Sequence, residues 1–136
     1  MKLKILLIVA VCMTLLASCK KDESSPTESS TPTYSMSDLQ GTWKGEAKNS
    51  SNTLSLNLTV DTQCKVTGSG VSCTWSIDNT GKVAGSGSFS FVSGSYLTVA
   101  AASWSLQMSS DKKSITGTME VAYPTLHGMS TTLTKQ

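Results

Sequence analysis

The sequence predicts an all-β domain, a small antiparallel up-and-down barrel of about eight strands over residues 39–136. Apolar and polar residues alternate through this region, and no stretch has a convincing helical period. Short turn sequences rich in Gly, Asn, Asp and Ser separate the apolar runs, and such short connections favour hairpins joined in sequence. A closed barrel removes exposed sheet edges. A two-sheet sandwich is the alternative that this pattern leaves open.

The expected strands follow one another along the chain with one apolar face and one face rich in Ser and Thr, as in antiparallel sheets that are solvated on one side. They lie at residues 41–45, 54–60, 71–77, 83–91, 96–100, 104–108, 115–121 and 129–133. A short helical turn is expected at residues 37–40, capped by Ser37 or Asp38. The glycines of Gly85-Ser86-Gly87 predict a strand that bends or packs tightly around a bulky neighbour.

The first 18 residues have the layout of a secretory signal peptide. Lys2 and Lys4 precede an apolar run at 5–16, which is too short to span a bilayer as a stable helix. Small residues then lead to Cys19. Residues 19–38 are rich in Ser, Thr and Pro, so they cannot bury enough apolar surface to offset the entropy of ordering and are expected to form a disordered tether.

The ending Leu16-Ala17-Ser18-Cys19 resembles the lipobox of bacterial lipoproteins. The resemblance implies that Cys19 becomes the first residue of the mature chain and carries a diacylglycerol with acyl chains such as palmitate, which anchor it stably in a membrane. An ordinary signal peptide with a chance cysteine is the alternative. The run 20–23, Lys-Lys-Asp-Glu, resembles the export signal of surface-displayed lipoproteins in Bacteroidota. It implies an outer-membrane anchor with the domain exposed at the cell surface, or otherwise facing the periplasm.

The charge of the mature chain argues against a nucleic-acid partner. Removing residues 1–18 takes away Lys2 and Lys4 and leaves nine lysines against nine acidic residues, with no arginine anywhere in the chain. A protein that binds nucleic acid normally shows a basic stripe with arginine for phosphate and base contacts. The chain is therefore expected to contact a membrane, a small ligand or a protein, and to be a monomer.

Cys64 and Cys73 are expected to form a disulfide. They remain once Cys12 leaves with the signal peptide and Cys19 is lipidated, and the exported compartment favours oxidation. A hairpin with a two-residue loop at 68–69 would place Cys64 opposite Cys73 in a non-hydrogen-bonded pair, where Cα atoms approach to about 4.5 Å.

The chain carries little that predicts catalysis. Its one histidine, His127, lies in an expected loop, and no serine has the sequence context of a nucleophile. The acidic residues are scattered singly, and a histidine-rich zinc site is unavailable. The sequence therefore predicts a non-enzymatic protein without a cofactor or metal ion.

Three tryptophans, Trp43, Trp75 and Trp104, occupy inward-facing strand positions. They can fill the core of a small barrel, or some of them can line a pocket at its mouth and contact a sugar or an apolar ligand. The candidate ligand-binding residues are Trp75, Trp104, Phe89 and Tyr96.

Leu39-Gln40-Gly41-Thr42-Trp43 resembles the Gly-x-Trp motif that opens the first strand of lipocalins and lipocalin-like bacterial lipoproteins. The resemblance implies a structural role for Gly41 and Trp43 at the barrel base, and binding of a small apolar or glycan ligand. The same opening, together with the expected disulfide hairpin and disordered N-terminal arm, resembles small barrel-type bacterial protease inhibitors, whose N-terminal arm enters the protease cleft. A protein-binding or inhibitor module and a structural envelope lipoprotein are the alternative functions.

Overall fold

The computed structural model describes residues 31–136, and eight antiparallel strands in that region close into a barrel. Each strand pairs with the next one along the chain, and β8 pairs with β1. The elements are α1 (Met36–Leu39), β1 (Gly41–Lys48), β2 (Thr53–Val60), β3 (Lys65–Gly68), β4 (Val71–Ile77), β5 (Lys82–Ser93), β6 (Tyr96–Met108), β7 (Ser114–Val121) and β8 (Met129–Lys135). The predicted up-and-down barrel is confirmed, and the sandwich alternative is excluded.

The signal peptide of residues 1–18, the lipidated Cys19 and the tether as far as residue 30 lie outside the described residues. The compact barrel unit begins at Pro32, before the boundary at residue 39 that the sequence predicts. The helix begins at Met36 after Ser35 as N-cap, so the predicted cap at Ser37 or Asp38 is wrong. The Ser35 N–H donates to Asp38 Oδ2 at 2.8 Å and the Asp38 N–H donates to the Ser35 carbonyl at 3.0 Å, and these bonds fix the earlier start.

The barrel has two differently built ends. The end that carries α1 also carries the turns at 61–64, 78–81 and 109–113, and we call it the base. The opposite end carries the connections at 49–52, 69–70, 94–95 and 122–128, and we call it the mouth. The described chain enters at the base, so the mouth lies at the far end of the barrel from this entry point.

β5 and β6 are longer than their neighbours. The runs at 96–100 and 104–108 that the sequence predicts separately form the single 13-residue strand β6, which pairs with β5 as far as Ser93↔Tyr96. β4 accompanies β5 only to Phe89, and β7 accompanies β6 only from Ala102. The end of this hairpin therefore projects beyond the mouth. We call residues 90–99 the hairpin tip.

The predicted pairing of Cys64 with Cys73 is wrong. The turn between β3 and β4 uses Ser69 and Gly70, which both have positive φ, at 48° and 79°. Two positive φ values define the type I′ turn that suits a two-residue hairpin, and glycine fits its second position best. The register therefore places Cys73 opposite Val66.

Cys64 does not belong to the hairpin strand. It closes the turn after Asp61 with φ at 58°, and β3 begins only at Lys65. Cys64 therefore lies outside the ladder and has no facing position to Cys73 of the kind that a cross-strand disulfide needs. Within residues 31–136, Cys64 and Cys73 are buried free thiols.

The barrel interior is filled by side chains from all eight strands. Trp43 and Trp75 are fully buried, and Trp104 and Phe89 retain 3% exposure. Gly85 stands opposite both Trp75 and Trp104 in the register. A Cβ at this position would collide with Cδ1 of Trp75 and come within 2.8 Å of the Thr74 carbonyl oxygen. The tight packing predicted for this glycine strand is confirmed.

Candidate functional site

The base is closed by α1 and by two lysines that reach it from distant strands and turns. The buried Trp43 donates its indole N–H to the Leu39 carbonyl at 2.7 Å. Lys135 Nζ lies 5.4 Å from the Trp43 ring centroid and donates to the Asp38 carbonyl at 2.7 Å. Lys112 Nζ forms an ion pair with Asp38 Oδ2 at 2.9 Å. These bonds stabilise the helix over the base, so this end offers no entrance to the interior.

The electrostatics of the base follow from these contacts. The pKa of the Asp38 carboxyl is lowered, first by the hydrogen bond from Lys112 and further by hydrogen bonds from Ser35, against a smaller opposing effect of burial. Lys112 also donates to the Thr33 carbonyl at 2.8 Å and lies 5.7 Å from the Tyr34 ring centroid. These contacts attach Thr33 and Tyr34 to the base.

Two buried tryptophans in the interior lack hydrogen bonds. Trp75 and Trp104 pack edge to face with ring centroids 5.6 Å apart, and in the described part of the chain neither indole N–H has a hydrogen-bond partner. Burial raises the pKa of the Cys73 thiol to about 11, and the two neighbouring indole N–H groups oppose this rise. The Cys73 sulfur is only a weak acceptor, so it compensates the two buried donors in part. This cluster and the buried Thr131 are polar features of a mostly apolar core.

The mouth is covered by aromatic side chains and by the 122–128 connection. Phe89 stacks on Phe91 at 5.4 Å, and Phe91 meets Tyr123 edge to face at 4.8 Å. The Tyr123 and Ser93 hydroxyls lie 3.1 Å apart, and Leu126 is buried beneath them. A small cavity of about 270 Å³ remains between this cover and the start of β2.

A polar groove runs beside the mouth along the 49–52 and 122–128 connections. It has a volume of about 590 Å³ and includes His127 and Lys48 in its lining. The Asn49 side-chain amide donates to the carbonyls of Thr125 and His127, so hydrogen bonds join the two loops that form the groove. Within residues 31–136, no group of three His, Cys, Asp or Glu side chains lies close enough to hold a metal ion.

The hairpin tip carries four of the five large apolar side chains that are exposed in residues 31–136. The exposed fractions are 72% for Val92, 79% for Tyr96, 72% for Leu97 and 62% for Val99. The only other large apolar side chain exposed among the described residues is Met36. Residues 83–110 contain no charged side chain. Exposed apolar surface that is concentrated in this way marks an interaction site.

Comparison with protein-family models, with curated proteins and with solved structures finds no match to this chain. The geometry of the barrel and the chemistry of its surfaces therefore carry the functional argument.

The structure separates the residues that the sequence groups into one ligand site. Trp75 and Trp104 meet in the interior, and Phe89 lies near the mouth, where it stacks with Phe91. Tyr96 lies on the hairpin tip, outside the barrel. Gly41 and Trp43 lie at the start of β1 beside the base.

Among residues 31–136, no helix has the length and apolar character needed to cross a bilayer.

Sequence reasoning missed Val92, Leu97 and Val99 as functional candidates. Two signals in the sequence were available. The stretch at 96–102 is apolar on both strand faces, which an amphipathic barrel strand does not require. The charge-free stretch at 83–110 is the second signal, because solvated strands normally carry charged residues that protect the sheet from unwanted pairing.

Proposed function

We propose that this chain is a lipid-anchored, non-enzymatic binding module of the cell envelope, and that it contacts another protein through the hairpin tip. The observation that carries the proposal is the concentration of exposed apolar side chains at 92–99, on a barrel whose interior is filled. The anchor at Cys19 is inferred from the sequence alone, and the outer membrane with the domain at the cell surface is the proposed location.

The tip lies at the end of the barrel opposite the point where the described chain enters. The described chain enters at the base, beside α1, and the tip projects from the mouth at the other end. The exposed apolar side chains of the tip are therefore not covered by residues 31–40 and are available to a partner.

The chemistry of the tip suits a protein partner. Aromatic residues are enriched in protein interfaces and charged residues are depleted from their cores, and the tip combines Tyr96 with uncharged neighbours. Leu97 and Val99 lie on the outer face of β6, and Val92 lies opposite Leu97 on β5. The three aliphatic side chains therefore form one continuous surface.

Photocrosslinking in intact cells tests the docking surface. A photoreactive phenylalanine derivative at Val92, which is exposed opposite Leu97, is expected to give covalent protein adducts that appear only after illumination. The matched control places the same group at Thr132, which is exposed on the outer face of β8. Equal adduct formation from both positions, or none from position 92, would contradict the proposal.

Fractionation tests the anchor separately. The wild-type chain is expected in the membrane fraction, and Cys19→Ser is expected to move the barrel into the soluble fraction or to leave the precursor unprocessed. Cys12→Ser is the control, because the residue lies inside the proposed leader. Wild-type behaviour of Cys19→Ser would contradict the lipid anchor while leaving the docking surface unaffected.

A second candidate function is binding of a small apolar or glycan ligand at the mouth, because the interior itself is filled. The cavity of about 270 Å³ beside Phe91 and Tyr123 favours it, since aromatic rings suit an apolar or sugar surface. Calorimetric titration with glycan and lipid panels tests it. Saturable binding that Phe91→Ala abolishes supports a ligand at the mouth, and a flat response across the panels rejects one.

A further inference from the structure

The hairpin tip has an open main-chain edge on β6. The Ala101 carbonyl accepts the Ala122 N–H at 2.8 Å on the side of β6 that faces β7. Main-chain groups of every second residue in a strand point the same way, so those of Leu97 and Val99 point toward this side as well. β7 pairs with β6 only from Ala102 onward, and no other described strand continues along this edge.

The pairing within the hairpin agrees with this direction. The turn at 94–95 is closed by Ser93↔Tyr96, and the alternation of an antiparallel ladder then makes Val92↔Leu97 and Ser90↔Val99 non-hydrogen-bonded pairs. The N–H and C=O groups of Leu97 and Val99 thus point away from β5. The same two residues carry exposed aliphatic side chains.

In residues 31–136, nothing on this edge prevents another strand from pairing with it. Natural edge strands are protected by charged side chains, proline or bulges. Residues 90–100 contain no charged residue and no proline, and the hairpin pairs without a bulge from Lys82↔Gln107 to Ser93↔Tyr96. An unprotected apolar edge of this kind is a template for strand addition.

We propose that the partner at this edge is a second copy of this chain, added antiparallel about a two-fold axis that passes through Thr98. Leu97 of each copy then faces Val99 of the other, and each of these two pairs exchanges two hydrogen bonds. Thr98 faces Thr98 of the second copy at a non-hydrogen-bonded position. The inference rests on the proposed function, because it names the partner of the same surface, and it differs from the monomer that the sequence predicts.

The self-complementary chemistry of the edge favours a second copy. An antiparallel two-fold pair meets its own surface, so each donor finds an acceptor and Leu97 packs on Val99. The two surfaces carry no charge, and therefore no like charges oppose each other. A lipid surface would leave the main-chain groups of Leu97 and Val99 without hydrogen bonds in hydrocarbon, which is costly.

The size of the contact sets its strength. One short strand edge and four apolar side chains bury less surface than the ~800 Å² per partner that is typical of a stable complex. The dimer is therefore weak in dilute solution. A shared membrane anchor raises the effective concentration of the copies without adding any contact.

Cysteine crosslinking tests the register. Thr98→Cys places two thiols across the dyad at a non-hydrogen-bonded pair, where Cα atoms lie about 4.5 Å apart, near the short end of disulfide geometry. The full chain is used with Cys12→Ser and Cys19→Ser, and the buried Cys64 and Cys73 are retained. We expect Thr98→Cys to double in mass under mild oxidation. Thr132→Cys, on the outer face of β8, is the control and is expected to stay monomeric.

Sedimentation at concentrations up to about 1 mM tests association directly, again in the full chain with Cys12→Ser and Cys19→Ser, so that no lipid is attached; here wild type means a wild-type tip in this background. The wild-type mass is expected to rise toward twice the monomer, and Leu97→Lys/Val99→Lys is expected to lose this rise. Ser130→Lys/Thr132→Lys adds the same charges at the same spacing on β8 and is expected to behave like the wild type. A wild-type chain that stays monomeric, or a tip double variant that associates equally well, would overturn the dimer.

The remaining outcomes separate this inference from the function on which it rests. If Thr98→Cys fails to crosslink and the lipid-free chain with a wild-type tip, but not the lipid-free tip double variant, sediments with vesicles of phosphatidylethanolamine and phosphatidylglycerol, the tip is a lipid-binding surface and the dimer is overturned. If the dimer fails while position 92 still crosslinks to other proteins in cells, the second copy is overturned and the protein-binding function stands.

Discussion

The base and the hairpin tip are built by the same sheet but in opposite ways. At the base, Trp43 donates a hydrogen bond to the Leu39 carbonyl, and two lysines from distant segments bind Asp38. The helix α1 covers the apolar end of the core. At the tip, three aliphatic side chains and a tyrosine are exposed, and a strand edge is open. Residues at the base therefore determine stability, whereas residues at the tip are available for binding and contribute little to it.

The largest expected effect comes from exchanging one aromatic side chain at each end. Trp43→Ala removes a fully buried ring and its hydrogen bond to Leu39, so we expect a loss of about 3–5 kcal/mol in the free energy of unfolding. Tyr96→Ala removes an exposed ring and is expected to change it by less than about 0.5 kcal/mol. Urea unfolding followed by circular dichroism measures both. Equal losses of unfolding free energy in the two variants would contradict the proposed difference between base and tip.

Gly85→Ala sharpens the contrast between the packed wall and the tip. The added methyl would meet Trp75 and the Thr74 carbonyl, so we expect a loss of about 1–3 kcal/mol in the free energy of unfolding. Ser86→Ala, at the exposed neighbouring position, is the control and should be close to neutral. If Gly85→Ala were as stable as this control in thermal unfolding, the wall around Trp75 would be looser than described.

The ion pair at the base has a smaller effect that depends on pH. Asp38→Asn is expected to cost about 1 kcal/mol, because Lys112 loses its charged partner. The pKa of Asp38 is lowered in the folded state, so its stabilisation is present above the ordinary value of 3.8 and is lost as the pH falls through the lowered pKa. Unfolding curves of the variant and the wild type should converge in acid. A constant difference would assign the effect to something other than the charge.

The smallest expected effect is at the tip. Leu97→Lys/Val99→Lys places charges on side chains that are already exposed, so we expect the free energy of unfolding to stay within about 0.5 kcal/mol of the wild type. Thermal unfolding in dilute solution, where the weak dimer is dissociated, measures it. A large loss of stability would mean that the tip supports the barrel and is not an independent surface.

The alternation of residues along the chain predicted the barrel because each strand buries one face. Leu56, Leu58 and Val60 of β2 show the pattern that made this possible. The tip departs from this pattern, because Leu97 and Val99 alternate onto the outer face of β6 and are exposed although they are apolar. An apolar residue there marks the exposed surface and not the core, and alternation alone does not say which of the two faces of an apolar strand is buried.

The strand register and the long-range contacts could not be predicted from the sequence either. Gly68, Ser69 and Gly70 allow two alternative two-residue turns, and a shift of one residue was enough to separate Cys64 from Cys73. The contact of Lys135 with Trp43 joins the two ends of the barrel sheet and depends on closure of β8 against β1. Such contacts follow from the closed topology, and no local sequence pattern predicts them.

Hydrogen exchange along β6 tests the central claim most directly, because one strand passes from the closed wall to the open tip. The amides of Val99 and Ser105 point to the same side of β6, but only Ser105 has a partner there, Thr118 of β7. In dilute solution the Val99 amide is expected to exchange at close to the rate of an unstructured peptide, and the Ser105 amide at least about a thousandfold more slowly. Protection of Val99 equal to that of Ser105 in dilute solution would show a covered edge and contradict the account.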